Sequence, residues 1–371
     1  MKFKCKQKEL NEALNNVIRA VPQKSPMQAL EGVKMYLDNN DLELTGYDLE
    51  IGIRTTIKVN SEDHGEFVVN ARIFSDIVRK MPDDDITIEV DEKLKVTIKG
   101  KKAEYNILAL TADDYPSIPD IDKSDFFEFP QAVLKNMINQ TIFAVSQNDS
   151  KPILKGELFD IENGLFTLVA IDGFRLAIRR EKIETDDRFN FVVKAKALNE
   201  VTKLLRDDEE AKVTVYVTRK HVVFDLNGYM LITRLLEGEF HNYRGSVPQS
   251  HSTEVIVNTR DVIDMLERCM LLIVEHTKAA VRCIFENGEI KVSCSTSLGN
   301  FSDSCNADIT GDITEIGFNC KYFIEAMKAA ESDKVKLQLG GNLAPMKIVP
   351  LDGDDYTFLL LPVRLKTSTI Q

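Results

Sequence analysis

No stretch of the chain is apolar for long enough to span a bilayer, which excludes a membrane-crossing helix. The opening Met1-Lys2-Phe3-Lys4-Cys5-Lys6 lacks the continuous apolar core of a signal peptide, so the expected location is the cytoplasm. None of the six cysteines (Cys5, Cys269, Cys283, Cys294, Cys305, Cys320) forms a C-x-x-C pair. In a reducing compartment they read as small buried hydrophobes and not as a disulfide framework or a zinc site. The five histidines are scattered without ligand spacing. There is no phosphate-binding glycine loop and no nucleophile–histidine–acid arrangement. Neither a metal nor a cofactor is expected. Positive charge is also short: 47 Lys and Arg face 59 Asp and Glu, a net −12. That sum argues against a tight nucleic-acid binder and against an anionic membrane as partner.

What the chain does have is a strand-then-helix unit that recurs six times, roughly every 60 residues. The units open at Phe3-Lys4-Cys5-Lys6, Phe67-Val68-Val69-Asn70, Phe127-Glu128-Phe129-Pro130, Phe191-Val192-Val193-Lys194, Val255-Ile256-Val257-Asn258 and Ile316-Gly317-Phe318-Asn319. Each is followed at a fixed distance by an apolar residue: Leu10, Phe74, Leu134, Leu198, Val262 or Phe323. A fixed period means one architecture repeated. Taken in pairs, the units make three larger repeats: Gly156 and Asp172 follow Gly32 and Asp48 by the same 124 positions.

Three domains are therefore expected, at residues 1–123, 124–249 and 250–371, with polar, turn-rich boundaries at Pro119–Asp125 and Val247–Thr253. Within each, helical spacing such as Leu10, Ala13, Leu14, Val17 alternates with strand-like runs. The fold class is α+β: three similar domains of one sheet and two helices. The acidic runs Asp83-Asp84-Asp85 and Asp207-Asp208-Glu209-Glu210 read as solvated turns after a helix.

Asn70, Asn258 and Asn319 are good N-cap residues. A cation then falls in the first helical turn of five units: Lys8, Arg72, Lys196, Arg260 and Lys321, with Ala132 in the remaining one. The helix dipole is positive at that end, so each such cation costs about 0.3–1 kcal/mol at an exposed site. Five of them point to something negative near those helix ends. If it is a polyanion, it is gripped through phosphates and not through bases.

Four segments carry a family resemblance by their order and spacing: Leu44-Thr45-Gly46-Tyr47-Asp48-Leu49-Glu50, Ala170-Ile171-Asp172-Gly173-Phe174-Arg175-Leu176-Ala177, Gly238-Glu239-Phe240-His241-Asn242-Tyr243-Arg244 and Leu359-Leu360-Leu361-Pro362-Val363-Arg364-Leu365. Over essentially its whole length the chain resembles the bacterial replicative sliding clamps, the beta subunits of DNA polymerase III holoenzyme. The resemblance implies the DNA clamp fold. It further implies a head-to-tail homodimer closed into a ring, with helices lining a hole around duplex DNA and sheets outside. It implies a processivity factor and no enzyme, with contact to DNA independent of sequence. By position, the DNA-facing residues are Lys24, Arg72, Asn148, Lys151, Lys196, Lys203, Arg260 and Lys321. Tyr105 and Ile107 would meet Leu272 and Ile273 at the dimer joint, where Asp303 is the one acid between Ser295 and Ser304.

The same resemblance implies an apolar cleft that takes short peptides of a DNA polymerase III alpha-type subunit, the clamp loader, repair polymerases and mismatch-repair proteins. Its matching positions are Leu154, Ile171, Gly173, Phe174, Arg175, Leu176, Val247, Asn319, Tyr322, Pro345, Met346, Leu360, Leu361, Pro362, Val363 and Arg364. In that setting Gly173 admits a close backbone and Arg175 holds a peptide carbonyl or carboxylate. Phe174, His241, Gly245 and Lys278 depart from the family's usual residues and bear on peptide preference. So does the tail, residues 366–371. Two other readings stand beside this one: a repeat scaffold that does not bind DNA, and a hydrolase using Asp172 and Arg175.

Overall fold

The computed structural model describes residues 1–148, 150–273 and 280–365. All six expected helices are present: α1 (Gln7–Val17), α2 (Ala71–Lys80), α3 (Gln131–Thr141), α4 (Ala195–Leu204), α5 (Thr259–Met270) and α6 (Cys320–Ala329). Each follows a strand directly. The caps are as the sequence predicts. The Asn70 side chain accepts from the Ile73 N–H, Asn258 from Arg260 and Asp261, and Asn319 from Tyr322. The helices bury one stripe each, for example Leu10, Ala13, Leu14 and Val17 in α1.

The chain divides into two compact units, Met1–Val133 with Lys196–Leu235, and Leu134–Ala195 with Leu236 onward. The first unit has two antiparallel sheets. One runs β1 (Lys2–Lys6), β6 (Asp85–Val90), β7 (Lys95–Gly100), β8 (Ala103–Leu108). The other runs β5 (His64–Asn70), β2 (Gly32–Asp38), β3 (Asp41–Tyr47), β4 (Ile51–Lys58), β16 (Tyr229–Arg234), β15 (His221–Leu226), β14 (Lys212–Val217), β9 (Phe126–Pro130).

The second unit carries one twelve-stranded order. It runs β13 (Phe189–Lys194), β10 (Gly156–Glu162), β11 (Leu165–Ile171), β12 (Arg175–Lys182), β24 (Tyr356–Leu360), β23 (Met346–Val349), β22 (Lys334–Leu339), β17 (Thr253–Asn258), β20 (Gly299–Gly311), β19 (Glu289–Thr296), β18 (Val281–Glu286), β21 (Thr314–Phe318). Successive repeats are thus sewn together by strand pairs, β4 to β16 (Gly52↔Ile232) and β12 to β24 (Leu176↔Leu359). The central repeat contributes strands to both units.

The threefold repetition reaches single hydrogen bonds. The segment leaving each repeat adds one rung to that repeat's outer strand: Leu110 N–H to the Val68 carbonyl, Leu236 N–H to Val192, and Val363 N–H to Gly317. Asp48 and Asp172 also play one part twice. Each uses its Oδ1 to accept two backbone N–H groups of the turn after it, Glu50 and Ile51 in one case, Phe174 and Arg175 in the other. That duplication marks a structural turn. Five cysteines are buried and free, as expected, but Cys305 is half-exposed on β20. Burial pushes the Cys5 and Cys294 thiols up to about 12, so both stay protonated.

One buried carboxyl stands out. Glu157 on β10 is fully buried, its Oε1 accepts from the Thr141 hydroxyl at 3.2 Å, and its Oε2 has no partner among the described residues. Burial holds it well above the usual carboxylate range, so it is folded in as the neutral acid. On unfolding it ionises in water. Stability therefore falls as pH rises above the ordinary glutamate value, by up to about 1.4 kcal/mol per pH unit, until the folded-state value is reached. Glu157→Gln keeps the shape and the Thr141 bond and removes the proton. Urea unfolding at pH 5.5 and pH 8 should show the natural chain losing ground to this variant at the higher pH. Equal gaps at both would mean that Glu157 is not held neutral.

Candidate functional site

The second unit contains a cleft of about 470 Å³. Its floor is built where β12 pairs with β24. Side chains alternate across a sheet, so Leu176 and Leu359 pack with Leu154, Ile171 and Tyr243, while their neighbours Ala177 and Leu360 belong to the core on the other face. Leu154, Ile153, Pro345 and Leu361 complete the apolar walls, and Lys151, Glu239, His241 and Ser246 add polar groups. His241 Nε2 lies 3.0 Å from the Ser246 hydroxyl. Gly173 has φ +92° with open space where a Cβ would stand, a left-handed position that suits glycine.

Arg175 is a buried tie. Its Nε donates to Asp172 Oδ2 at 2.9 Å, its Nη1 donates to Glu325, and its guanidinium lies 4.0 Å over the Tyr322 ring. The resemblance has Arg175 holding a peptide carbonyl or carboxylate; it does line the cleft, with two carboxylates of its own chain already beside its charge.

Of the expected cleft positions, Leu154, Ile171, Gly173, Arg175, Leu176, Pro345 and Leu361 line it. Met346 and Leu360 do not; the strand alternation turns both into the core. Phe174 is 63% exposed and off the wall, though its carbonyl accepts from Leu361 N–H. Val247 packs behind the floor, Asn319 caps α6, and Tyr322 supports Arg175. Val363 is taken up by its bond to Gly317, and Pro362 and Arg364 stand outside the lining. Lys151, expected to face DNA, is among the residues lining this cleft. Ile153, Glu239, Ser246 and Leu359 were missed. Alternation along Leu359-Leu360-Leu361 was the signal for Leu359; Ile153 and Ser246 come from the single helical turns Pro152–Lys155 and Arg244–Ser246, and Glu239 comes from a loop. Gly245 sits in the short turn Arg244–Ser246. Lys278 and residues 366–371 lie outside the described residues.

The first-turn cations are mostly compensated. Lys8 meets Asp83 at 2.6 Å, Lys196 meets Asp48 at 2.6 Å, Arg260 meets Asp264 at 2.9 Å and Lys321 meets Glu325 at 4.0 Å. Lys203 likewise pairs with Glu200. The negative charge inferred from the helix ends is thus largely supplied from within the chain. Lys24 and Arg72 are exposed with no ion-pair partner among the described residues, and Asn148 is exposed, its side-chain oxygen accepting from the Ser150 N–H.

Two strand edges bear on the expected joint, and both are bare among the described residues. β8 pairs only with β7, and along it Tyr105 is 41% exposed, Ile107 is half-buried and Leu108 is 77% exposed. β20 pairs with β17 through Ala307–Gly311 and with β19 through Gly299–Asn306, which leaves the second edge of that latter stretch open. Beyond α5, Leu272 and Ile273 pack against the core while Leu271 stands 79% exposed. Leu108 and Leu271 are therefore the more available apolar residues beside the expected ones. Asp303 is engaged by Arg268 at 2.6 and 2.8 Å within its own chain.

Three family domains match in tandem: "DNA polymerase III beta subunit, N-terminal domain" over residues 1–119, the central domain over 128–242 and the C-terminal domain over 244–364. The beta sliding clamp of Bacillus subtilis is 32% identical over 98% of this chain and 100% of its own length. The solved B. subtilis DNA polymerase sliding clamp superposes with a TM-score of 0.94, at 32% identity, covering 99% of this chain and 100% of that one. A sliding clamp from Pseudomonas aeruginosa, solved bound to griselimycin, has a TM-score of 0.93 at 25% identity, over 98% of this chain and 100% of that one.

Proposed function

Since the chain belongs to the DNA polymerase III beta-subunit family, the sliding clamps, we propose that two copies close head to tail around duplex DNA and tether polymerases to it. Replication is its setting. No helix among the described residues is long and apolar enough to cross a membrane, and the proposed place of action is the cytoplasm. The tandem of three clamp domains over nearly the whole chain carries this reading. The proposed domain limits are 1–123, 124–249 and 250–371.

Closure joins the bare edge of β8 to the bare edge of β20 in a second copy, a heterologous contact that ends because the rotation closes. Tyr105, Ile107 and Leu108 meet Leu271, Leu272 and Ile273 there. Lys24, Arg72 and Asn148 touch phosphates, with Lys196, Lys203, Arg260 and Lys321 sharing theirs with carboxylates. A cation already paired gives up part of one interaction to take another, so each contact is weak, which suits sliding. The cleft takes short apolar peptide segments of an alpha-type polymerase subunit, the clamp loader, repair polymerases and mismatch-repair proteins, and it also takes griselimycin. The hydrolase finds no support, since Asp172 and Arg175 are spent on a turn and on ion pairs; nor does the DNA-free scaffold, since the relatives are named sliding clamps.

The test is topological. Assembled on circular DNA by a clamp loader with ATP, the protein should stay bound in salt that strips phosphate contacts, and leave once the circle is cut. Equal loss from intact and cut circles would rule out the ring.

A further inference from the structure

A second groove, of about 500 Å³, lies between the outer edge of β13 and the segment Gly238–Arg244. It shares Glu239 and His241 with the apolar cleft, so the two run into one another. The chain leaving the central repeat makes its rung, Leu236 N–H to Val192 carbonyl at 2.9 Å, and then peels away through Gly238 at φ +128°. In an antiparallel strand the N–H and C=O of one residue point to the same edge, and alternate residues share an edge. Val192 points outward; Val193 points the other way, toward Gly156. Asn190, two residues before Val192, therefore also presents its backbone N–H and C=O outward, into the groove. Neither has a partner among the described residues.

The side chains around this open rung are already satisfied. Asn190 Nδ2 donates to Asp160 Oδ1 at 3.0 Å, and Asp160 Oδ2 accepts from the Tyr243 hydroxyl at 2.7 Å and from Arg244 at 2.9 Å. The wall is thus fixed before anything binds, and what it offers is backbone. Glu239 at the saddle is exposed and has no ion-pair partner among the described residues.

We propose that this groove is the second half of the docking site. A partner segment anchored in the cleft by apolar side chains continues over Glu239 and His241, placing a cation near Glu239. It then lies extended along β13, exchanging hydrogen bonds with the Asn190 backbone. This rests on the cleft being a peptide site.

The full-length protein should be titrated with three synthetic peptides from the cell's own alpha-type polymerase subunit. The first is a short apolar cleft-binding segment of it, the second is that segment with about eight native residues on each side, and the third is the second with alternate flanking amides N-methylated. The long peptide should bind about tenfold tighter than the short one, and the methylated peptide no tighter than the short one. Asn190→Pro deletes the outward N–H and spares the backbone bonds to β10; it should also cancel the gain, whereas Asn190→Ala, which loses only the side-chain bond to Asp160, should keep it, and the short peptide should bind both as before. Equal affinities of short and long peptides, or a gain that survives methylation, would overturn the inference. If neither peptide binds, the cleft reading itself falls.

Discussion

Leu108→Asp should leave the chain folded and monomeric, and it should abolish retention on circular DNA. Leu108 ends β8 with 77% of its surface exposed in the single chain, so a polar residue there leaves the chain's own core intact. In the proposed ring the same position would meet the apolar end of α5, where Leu271 is 79% exposed. A carboxylate buried there without a partner costs about 3 kcal/mol or more, which weakens association by more than about a hundredfold. Sedimentation equilibrium at micromolar protein should give one subunit mass for the variant and two for the natural chain. On circular DNA in high salt the variant should dissociate as though the circle were already cut. A stable Leu108→Asp dimer would show that the joint lies elsewhere.

Replacing Arg175 should strongly destabilise the second unit. Its guanidinium, 7% exposed, lies between Asp172 and Glu325 and over Tyr322. Asp172 is itself nearly buried. Arg175→Met fills much of the volume but leaves the nearly buried Asp172 without a cation and Glu325 with only Lys321, 4.0 Å away. Breaking such a buried pair costs about 3–5 kcal/mol. Adding Asp172→Asn should restore part of the loss, since the amide oxygen still accepts the turn's N–H groups and the orphaned charge is gone. The chain contains no tryptophan, so calorimetry or circular dichroism is the suitable readout. A Met variant within 1 kcal/mol of the natural chain would mean that the tie is solvated and contributes little.

The architecture was legible because it is written three times. Strand, cap and helix recur at fixed intervals, and each expected asparagine cap is in place. What escaped was parity and pairing across distance. In Leu359-Leu360-Leu361 composition does not tell which faces are wet; only the pairing of Leu359 with Leu176 decides that the middle residue is core. Lys196 looked unpaired because its partner Asp48 stands far away in sequence, and Lys8 finds Asp83 in the same way. Asp264 and Glu325 were different. Each stands four residues after its cation on the same helix, a spacing open to view. The ion pairs of Arg175 were hidden in part for the same reason: Asp172 stands three residues away, but Glu325 arrives from a helix far along the chain.

The central repeat bonds outward on both flanks, β16 to β4 and β12 to β24. A piece cut out at residues 124–249 would carry two raw margins, each ready to zip onto a stray neighbour. The middle third is less a bead on a string than a weave that exists only while its neighbours hold the selvedge.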